Sequence, residues 1–521
     1  MIPMHGTFRL RIACLPMLLL VLTGQGCAPA PTPASRAVWV AGAPMPVFDP
    51  HGVADPLREV LERSISRGLT ELDSLGAVMP ALAARWAWSA DRCTLRFTLR
   101  AGLRFADDSL VHPEDVRTAL VAALARTDHR RSGHLLAAVK GVEPGRARKV
   151  TPLGIEAVDD STLVFALSRP DSMLPAKLAL HGISAPWRGD RAGWASVVGC
   201  GPYRVVGSNA RRSMRLVRRD GPLPFRATVD TLDIRFEPSV NRVRDLLRDG
   251  VVDVLWPLPP AMLDSDPPAG YKAVQAAARP ERRLVLVLRA DRPPLTRFDR
   301  RLKLSRTSES KALISRLGRT AHPVGEWVKG GGTPTPVPAE PIASPGFGAP
   351  VATQERPSSR SFHFKLGWDV DGPAARAAGL LEERWAEAGL YVEREPLRGA
   401  RLASRARARE GPPAMLLMVQ PLFEGPSEAI APFVESPSGV TIVGFRTGWR
   451  PQDLQAAHSG LEAIGPEVAR ERLEAERVAI PIARIDWSWF ERSGRSGARS
   501  HPRFGVEHTE PKGPADSPFV R

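Results

Sequence analysis

The side chains of this chain that could carry chemistry are scattered rather than gathered. Eleven histidines fall into no metal-like cluster. Carboxylates adjoin at Glu114-Asp115 and at Asp159-Asp160. Such pairs decorate any surface, and hydrolytic use would need them held across a substrate in space. No G-x-S-x-G elbow, H-E-x-x-H helix, phosphate-cradling loop or G-x-G-x-x-G turn occurs. What the chain does supply is aromatic surface, with 12 Trp against 3 Tyr. Trp86, Trp88 and Trp368 are candidates to line an apolar or stacking pocket, beside the commoner role of Trp in a core. These residues point to binding without covalent chemistry, so neither catalysis nor a cofactor or metal is expected.

The elements that must position them can be read around them. In "CTLRFTL", Leu95, Phe97 and Leu99 alternate with Thr94, Arg96 and Thr98, the pattern of a half-buried strand. Asp91-Arg92 and Ala101-Gly102 supply turns on either side, and Leu103 and Phe105 begin a short second element. From His112 the pattern turns helical, with Val116, Leu120, Ala123 and Leu124 on one face. Pro113 suits a first helical turn, and Glu114 and Asp115 suit its dipole. Further on, "FHFKLGWDV" alternates like a strand, and "AARAAGLLEERWAEAGLYV" is an amphipathic helix with Gly389 as C-cap, leading into the strand "LYVEREP". That order is an α/β unit. "AMLLMVQPLF" reads as a fully buried strand, and the Pro/Gly-rich "KGGGTPTPVPAEPIASPGFGAP" as an extended or mobile loop.

The net charge of +16 is carried mainly by scattered Arg, densest at 211–219, 297–306 and 401–409. None of these patches is interleaved with stacking aromatics, so no nucleic-acid partner is expected. At the N-terminus, Arg9 and Arg11 precede the apolar run "IACLPMLLLVL", which has signal-peptide length. "TGQGCAPAPTPAS" follows and resembles the lipobox of bacterial lipoproteins, in which the Cys is acylated and becomes the new N-terminus. Gly24 departs from the Leu preferred three residues before that Cys. The resemblance implies lipidation at Cys27 and a tether after it; an ordinary secretory signal with an incidental Cys is the alternative. Either way the chain is exported. Cys93 and Cys200 then remain in an oxidising compartment, where pairing is allowed but not required.

A denser resemblance covers most of residues 45–490. Trp86, Ser89, Asp91, Thr94, Phe97, Leu99-Arg100, Gly102, Phe105, Asp107 and Asp115-Val116 are similar to the signature of family 5, the dipeptide/oligopeptide-type solute-binding proteins of ABC transporters, with Asp108 where that pattern has Gly. "FDP" at 48–50, "GIEAVDDSTLVFALSRP", "GCGPYRV", "RVRDLLRDGVVDVLW", "PPLTRFDRRLKLSRTSESKAL" and "IPI" at 480–482 resemble further family segments in the same order.

The resemblance implies an α/β fold of the two-lobe periplasmic-binding-protein type II kind with an additional small domain. It divides the chain into a signal peptide (1–26), a lipid-anchored tether (27–44), a first lobe (45–285) with the small domain inserted at about 65–185, a second lobe (286–480), and a C-terminal return and tail (481–521). It implies a monomer at the periplasmic face of the envelope that captures a peptide or other small solute between lobes and passes it to a membrane permease. The alternative is a diverged member acting as an envelope sensor or scaffold. Ligand contacts are expected from Phe48, Trp88, Trp368, Gln420, Phe423 and Glu424. Peptide-binding members carry an Asp that anchors the ligand amine after the buried strand. Here that place falls on Leu422 or Phe423, with Glu424 the nearby carboxylate, so the usual anchor is missing.

Overall fold

The structure, a computed structural model, describes residues 35–49, 56–73, 77–125, 133, 135–142, 153–180, 183–189, 193–209, 212–222, 227, 229–276, 281–308, 311–324, 361–370, 372–420, 433, 447, 471 and 475–493. Cys27, Phe423, Glu424 and the Pro/Gly-rich 329–350 stretch lie outside them.

A seven-stranded sheet runs in the order Tyr203–Asn209, Ser213–Arg218, Thr231–Phe236, Arg36–Ala41, Val254–Leu255, Trp487–Arg492 and Tyr271–Ala276. Its middle is parallel, Arg36–Ala41 lying between Thr231–Phe236 and Val254–Leu255. Successive side chains of a strand point to opposite faces, and "RAVWVA" uses both. Ala37, Trp39 and Ala41 join a core with Leu57, Val60, Leu61 and Ile65 of helix Pro56–Ile65. Val40 joins another with Val243 and Leu247 of helix Val240–Arg248.

A six-stranded sheet runs in the order Ala321–His322, Ala479–Ile485, Arg283–Leu288, Ala414–Val419, Phe362–Asp369 and Leu390–Leu397. After Arg283, "RLVLVL" is apolar because both its faces are covered: Leu284, Leu286 and Leu288 enter one core, Val285 and Val287 another. Helix Pro373–Glu387 crosses over between the parallel strands Phe362–Asp369 and Leu390–Leu397. Its buried residues, Ala374, Ala377, Ala378, Leu381 and Trp385, fall at helical spacing. Gly389 ends the turn in the left-handed region, as read from the sequence.

The signature residues build a four-stranded sheet, Ala83–Trp88, Thr94–Leu99, Thr162–Ala166 and Ile155–Ala157, whose core is filled by Leu95, Phe97, Leu163 and Phe165 with Val116 and Leu120 of helix Pro113–Ala125. The signature's carboxylates close turns or cap a helix. The Asp91 carboxylate accepts from Ser89 Oγ (2.5 Å) and from the Cys93 N–H (3.0 Å), and those bonds hold it below the usual carboxylate range. Asp107 accepts from Ser109 Oγ at 2.5 Å. Asp108 has φ +65°, the left-handed conformation that explains why the family pattern has Gly there. Asp115 accepts from the His112 N–H at 2.8 Å and from Arg188 at 2.9 Å, capping the helix and tying it to strand Trp187–Arg188.

Candidate functional site

The chain crosses between the seven- and six-stranded sheets twice. It leaves after Tyr271–Ala276 to enter Arg283–Leu288, and returns from Ala479–Ile485 to Trp487–Arg492 with only Asp486 between. The crossings are bonded to each other and to the second sheet's edge: the Ile485 N–H donates to the Arg282 carbonyl (2.8 Å) and the Asp486 N–H to the Thr320 carbonyl (2.9 Å).

A cation–aromatic row begins there. The Arg282 guanidinium lies 3.6 Å from the centre of the Trp487 ring. Arg282 as a whole residue stays partly exposed, but its head is packed in; burial pulls it down to about 10, against the opposing pull of Asp486. Trp487 meets Trp256 edge-on at 5.8 Å, and Trp256 stacks on Trp39 at 6.0 Å. Trp39 Nε1–H donates to the Trp256 carbonyl at 2.5 Å. The row therefore links the crossings to the parallel strands Arg36–Ala41 and Val254–Leu255. Open α/β sheets bind their ligands beyond the carboxyl ends of such strands.

A polar clasp joins the two sheets' bodies a second way. Asp264 and Asp266, after the turn Pro260–Met262, belong to the first; Arg319 and Arg376 belong to the second. Arg376 pairs with the Asp264 carboxylate. Arg319 donates from its backbone N–H to Asp264 Oδ1 (3.2 Å), and from its guanidinium to the Asp264 carbonyl (2.8 Å) and to Asp266 (3.0 Å). Gly318, at φ +109°, lies where a Cβ would collide with the Asp264 carboxylate, so the approach requires glycine.

Of the residues expected from sequence to contact ligand, Phe48, Trp88, Trp368 and Gln420 are among the described residues, and the three aromatic ones lie in or against separate cores. Phe48 is buried between Trp187 and Trp194 at ring distances of 5.0 and 5.2 Å, in the core of the seven-stranded sheet. Trp88 packs against the four-stranded sheet's core, and Trp368 is buried in the six-stranded sheet's core. Gln420 directly follows strand Ala414–Val419 and is partly buried. Cys93 and Cys200 are separate free thiols. Cys200 is fully enclosed, and burial pushes its thiol up.

Next to Phe48, Glu62 is buried at helix Pro56–Ile65. Desolvation pushes its carboxyl up to about 8, while Arg58, 3.6 Å away, and the Asp49 N–H pull the other way. Sequence reading missed this residue, the clasp and the tryptophan row. Only the high Trp count hinted at the last, because Trp39, Trp256 and Trp487 are brought together by strand pairing alone. The Gly201 of "GCGPY" proves to serve backbone approach: its N–H donates to the Ile65 carbonyl at 2.9 Å, and a Cβ there would lie 2.6 Å from Ile65 carbonyl carbon. Among the described residues no group of His, Cys, Asp or Glu could hold a metal ion.

Residues 77–420 match the model for bacterial extracellular solute-binding proteins, family 5 Middle. The oligopeptide-binding protein SarA of Streptococcus gordonii is 29% identical over 133 residues, which is 24% of this chain; the chain spans only 20% of that relative's length. Haemophilus influenzae OppA in complex with RPPGFSPFR superposes with a TM-score of 0.70 at 15% identity, covering 91% of this chain and 97% of that one. AgaA in complex with agropinic acid, from A. tumefaciens R10, gives 0.69 at 14%, covering 90% and 96%. The mixed α/β architecture is thus that of such binding proteins over nine-tenths of the chain.

Proposed function

This chain belongs to the bacterial extracellular solute-binding proteins of family 5, which bind and do not catalyse, and on that premise we propose that it captures a peptide or another small solute for an ABC importer. The two sheets are the cores of two lobes, the crossings at 276–283 and 485–487 are the hinge, and the ligand is held between lobes that close over it. The chain is exported, anchored through lipid on Cys27 at the periplasmic face, and hands its solute to a membrane permease.

The observation that carries this reading is the double crossing, tied by the Arg282–Trp487 stack, between two sheets that each own a complete core. A ligand between such bodies is reached by rotation about two short connections, without unfolding either core. The solved relatives were bound to chemically unlike ligands, a peptide in one and agropinic acid in the other. The solute here is one that does not depend on a carboxylate partner for a free amine, since "MVQPLFEGP" places Leu422 or Phe423 at that point. An unpartnered buried ammonium would cost several kcal/mol. Native mass spectrometry of the purified chain tests the reading: a small molecule bound in defined stoichiometry is expected. A chain that stays empty, and takes up neither free nor N-blocked peptides, would instead support the sensor or scaffold role.

A further inference from the structure

The turn after strand Thr94–Leu99 and the hairpin formed by Tyr203–Asn209 and Ser213–Arg218 share a cavity of about 710 Å³, formed by residues of neither the hinge nor the clasp. Its wall carries Arg104, Arg204, Arg218 and Arg219 against two acidic residues, Asp108 and Asp220. These charges are unevenly compensated. Arg218 is paired with Asp230 at 2.6 Å. Arg219 donates to the carbonyls of Gly201 (3.0 Å), Arg104 (3.1 Å) and Phe105 (2.5 Å). Arg104 donates to the Asp108 carbonyl at 2.6 Å. Carbonyls orient a guanidinium but leave its charge standing. Arg204 is exposed and, among the described residues, forms no ion pair. It lies near enough to Arg219 to disfavour that residue's charge, adding to the larger effect of burial; Asp107 and Asp108 act in the opposite sense. Asp220 is 4.0 Å from Arg218 with its side chain almost wholly in solvent, so it neutralises little.

We propose that this cavity is a second binding site, for a small anion bearing carboxylate or phosphate groups, separate from the solute site between the lobes. Guanidinium edges match the oxygens of such groups and bind them in charge-assisted pairs. Arg104, Arg204 and Arg219 come from two parts of the chain, and an anion among them relieves their mutual repulsion. The volume suits a small organic molecule. The floor is firm: Gly201 is bonded to the Ile65 carbonyl at 2.9 Å, and the Cys200 thiol is buried beside it. An occupied site would add to the tie that Arg219 already makes between the turn of the four-stranded sheet and the hairpin of the seven-stranded one.

Calorimetry on the purified full-length chain at low ionic strength, with inorganic phosphate and with succinate, tests this against sodium chloride at matched ionic strength. Saturable binding of at least one probe is expected, and the tighter one identifies the anion class. Arg204→Glu should weaken it by about tenfold, and Asp220→Asn should strengthen it about twofold, since both residues are exposed and act through charge. Circular dichroism confirms that both variants fold. Heats that match sodium chloride, or equal affinity in wild type and Arg204→Glu, would overturn the proposal.

Discussion

Removing one carboxylate from the clasp should open the molecule in the absence of any ligand. Asp264 takes an ion pair from Arg376 and a backbone N–H from Arg319. Asp264→Asn keeps an oxygen for the N–H but loses the charge. The side chains of Arg376 and Asp264 are 47% and 29% exposed, so solvent screens the pair and its worth is that of a partly exposed ion pair, about 1 kcal/mol. If the clasp forms only when the lobes approach, that loss shifts the ratio of closed to open molecules about fivefold. Small-angle scattering of the ligand-free protein reads the shift as a larger radius of gyration. High salt should produce part of the same expansion in wild type and little in the variant. Arg376→Glu should expand the molecule as well, and Asp264→Lys combined with Arg376→Glu should recover part of the compaction, since the cycle isolates the pair. Unchanged scattering in both single variants would show that the clasp holds nothing the rest of the interface does not.

Three further outcomes are expected. Burial pushes Glu62 from 4.5 up to about 8, so the folded chain keeps a proton there that the unfolded chain loses. Its contribution is full below pH 4.5 and is lost as pH rises to about 8; the thermal midpoint of wild type should decline across that window relative to Glu62→Gln, and parallel profiles would contradict it. Trp385 is fully buried and donates from Nε1 to Ser308 Oγ at 3.1 Å; Trp385→Ala should cost about 3–5 kcal/mol in urea unfolding, and a loss below about 1 kcal/mol would mean that the core closes over the gap. Cys27→Ser should move the protein from the membrane to the soluble fraction, and equal membrane retention of both forms would remove the lipid anchor.

Local rules carried the sequence reading well where one strand or helix decides its own burial. The alternation in Thr94–Leu99, the unbroken apolar run of Ala414–Val419 and the one-sided helix Pro373–Glu387 each record which faces are covered. Asp91 was legible as a turn residue because its side chain bonds the backbone two residues on; Asp107 makes the same kind of bond but was singled out only through the family resemblance. The site was far less legible. Trp39, Trp256 and Trp487 lie in segments whose adjacency depends on strand order, which no local pattern encodes. Asp264 and Arg376 read as ordinary surface charges, since the pairing that gives them a role spans more than a hundred positions. Trp88 and Trp368 were singled out by residue type, and each packs against a different core. Glu62 sits in the hydrophilic-looking "LREVLERS", where its burial follows from the packing of a whole helix.

Closure of two lobes over a solute is read by scattering from the protein with and without the solute found by native mass spectrometry. A smaller radius of gyration is expected on binding, together with a rise in thermal midpoint that grows with solute concentration. A solute that binds tightly and raises the midpoint while leaving the scattering profile unchanged would contradict closure about the 276–283 and 485–487 crossings.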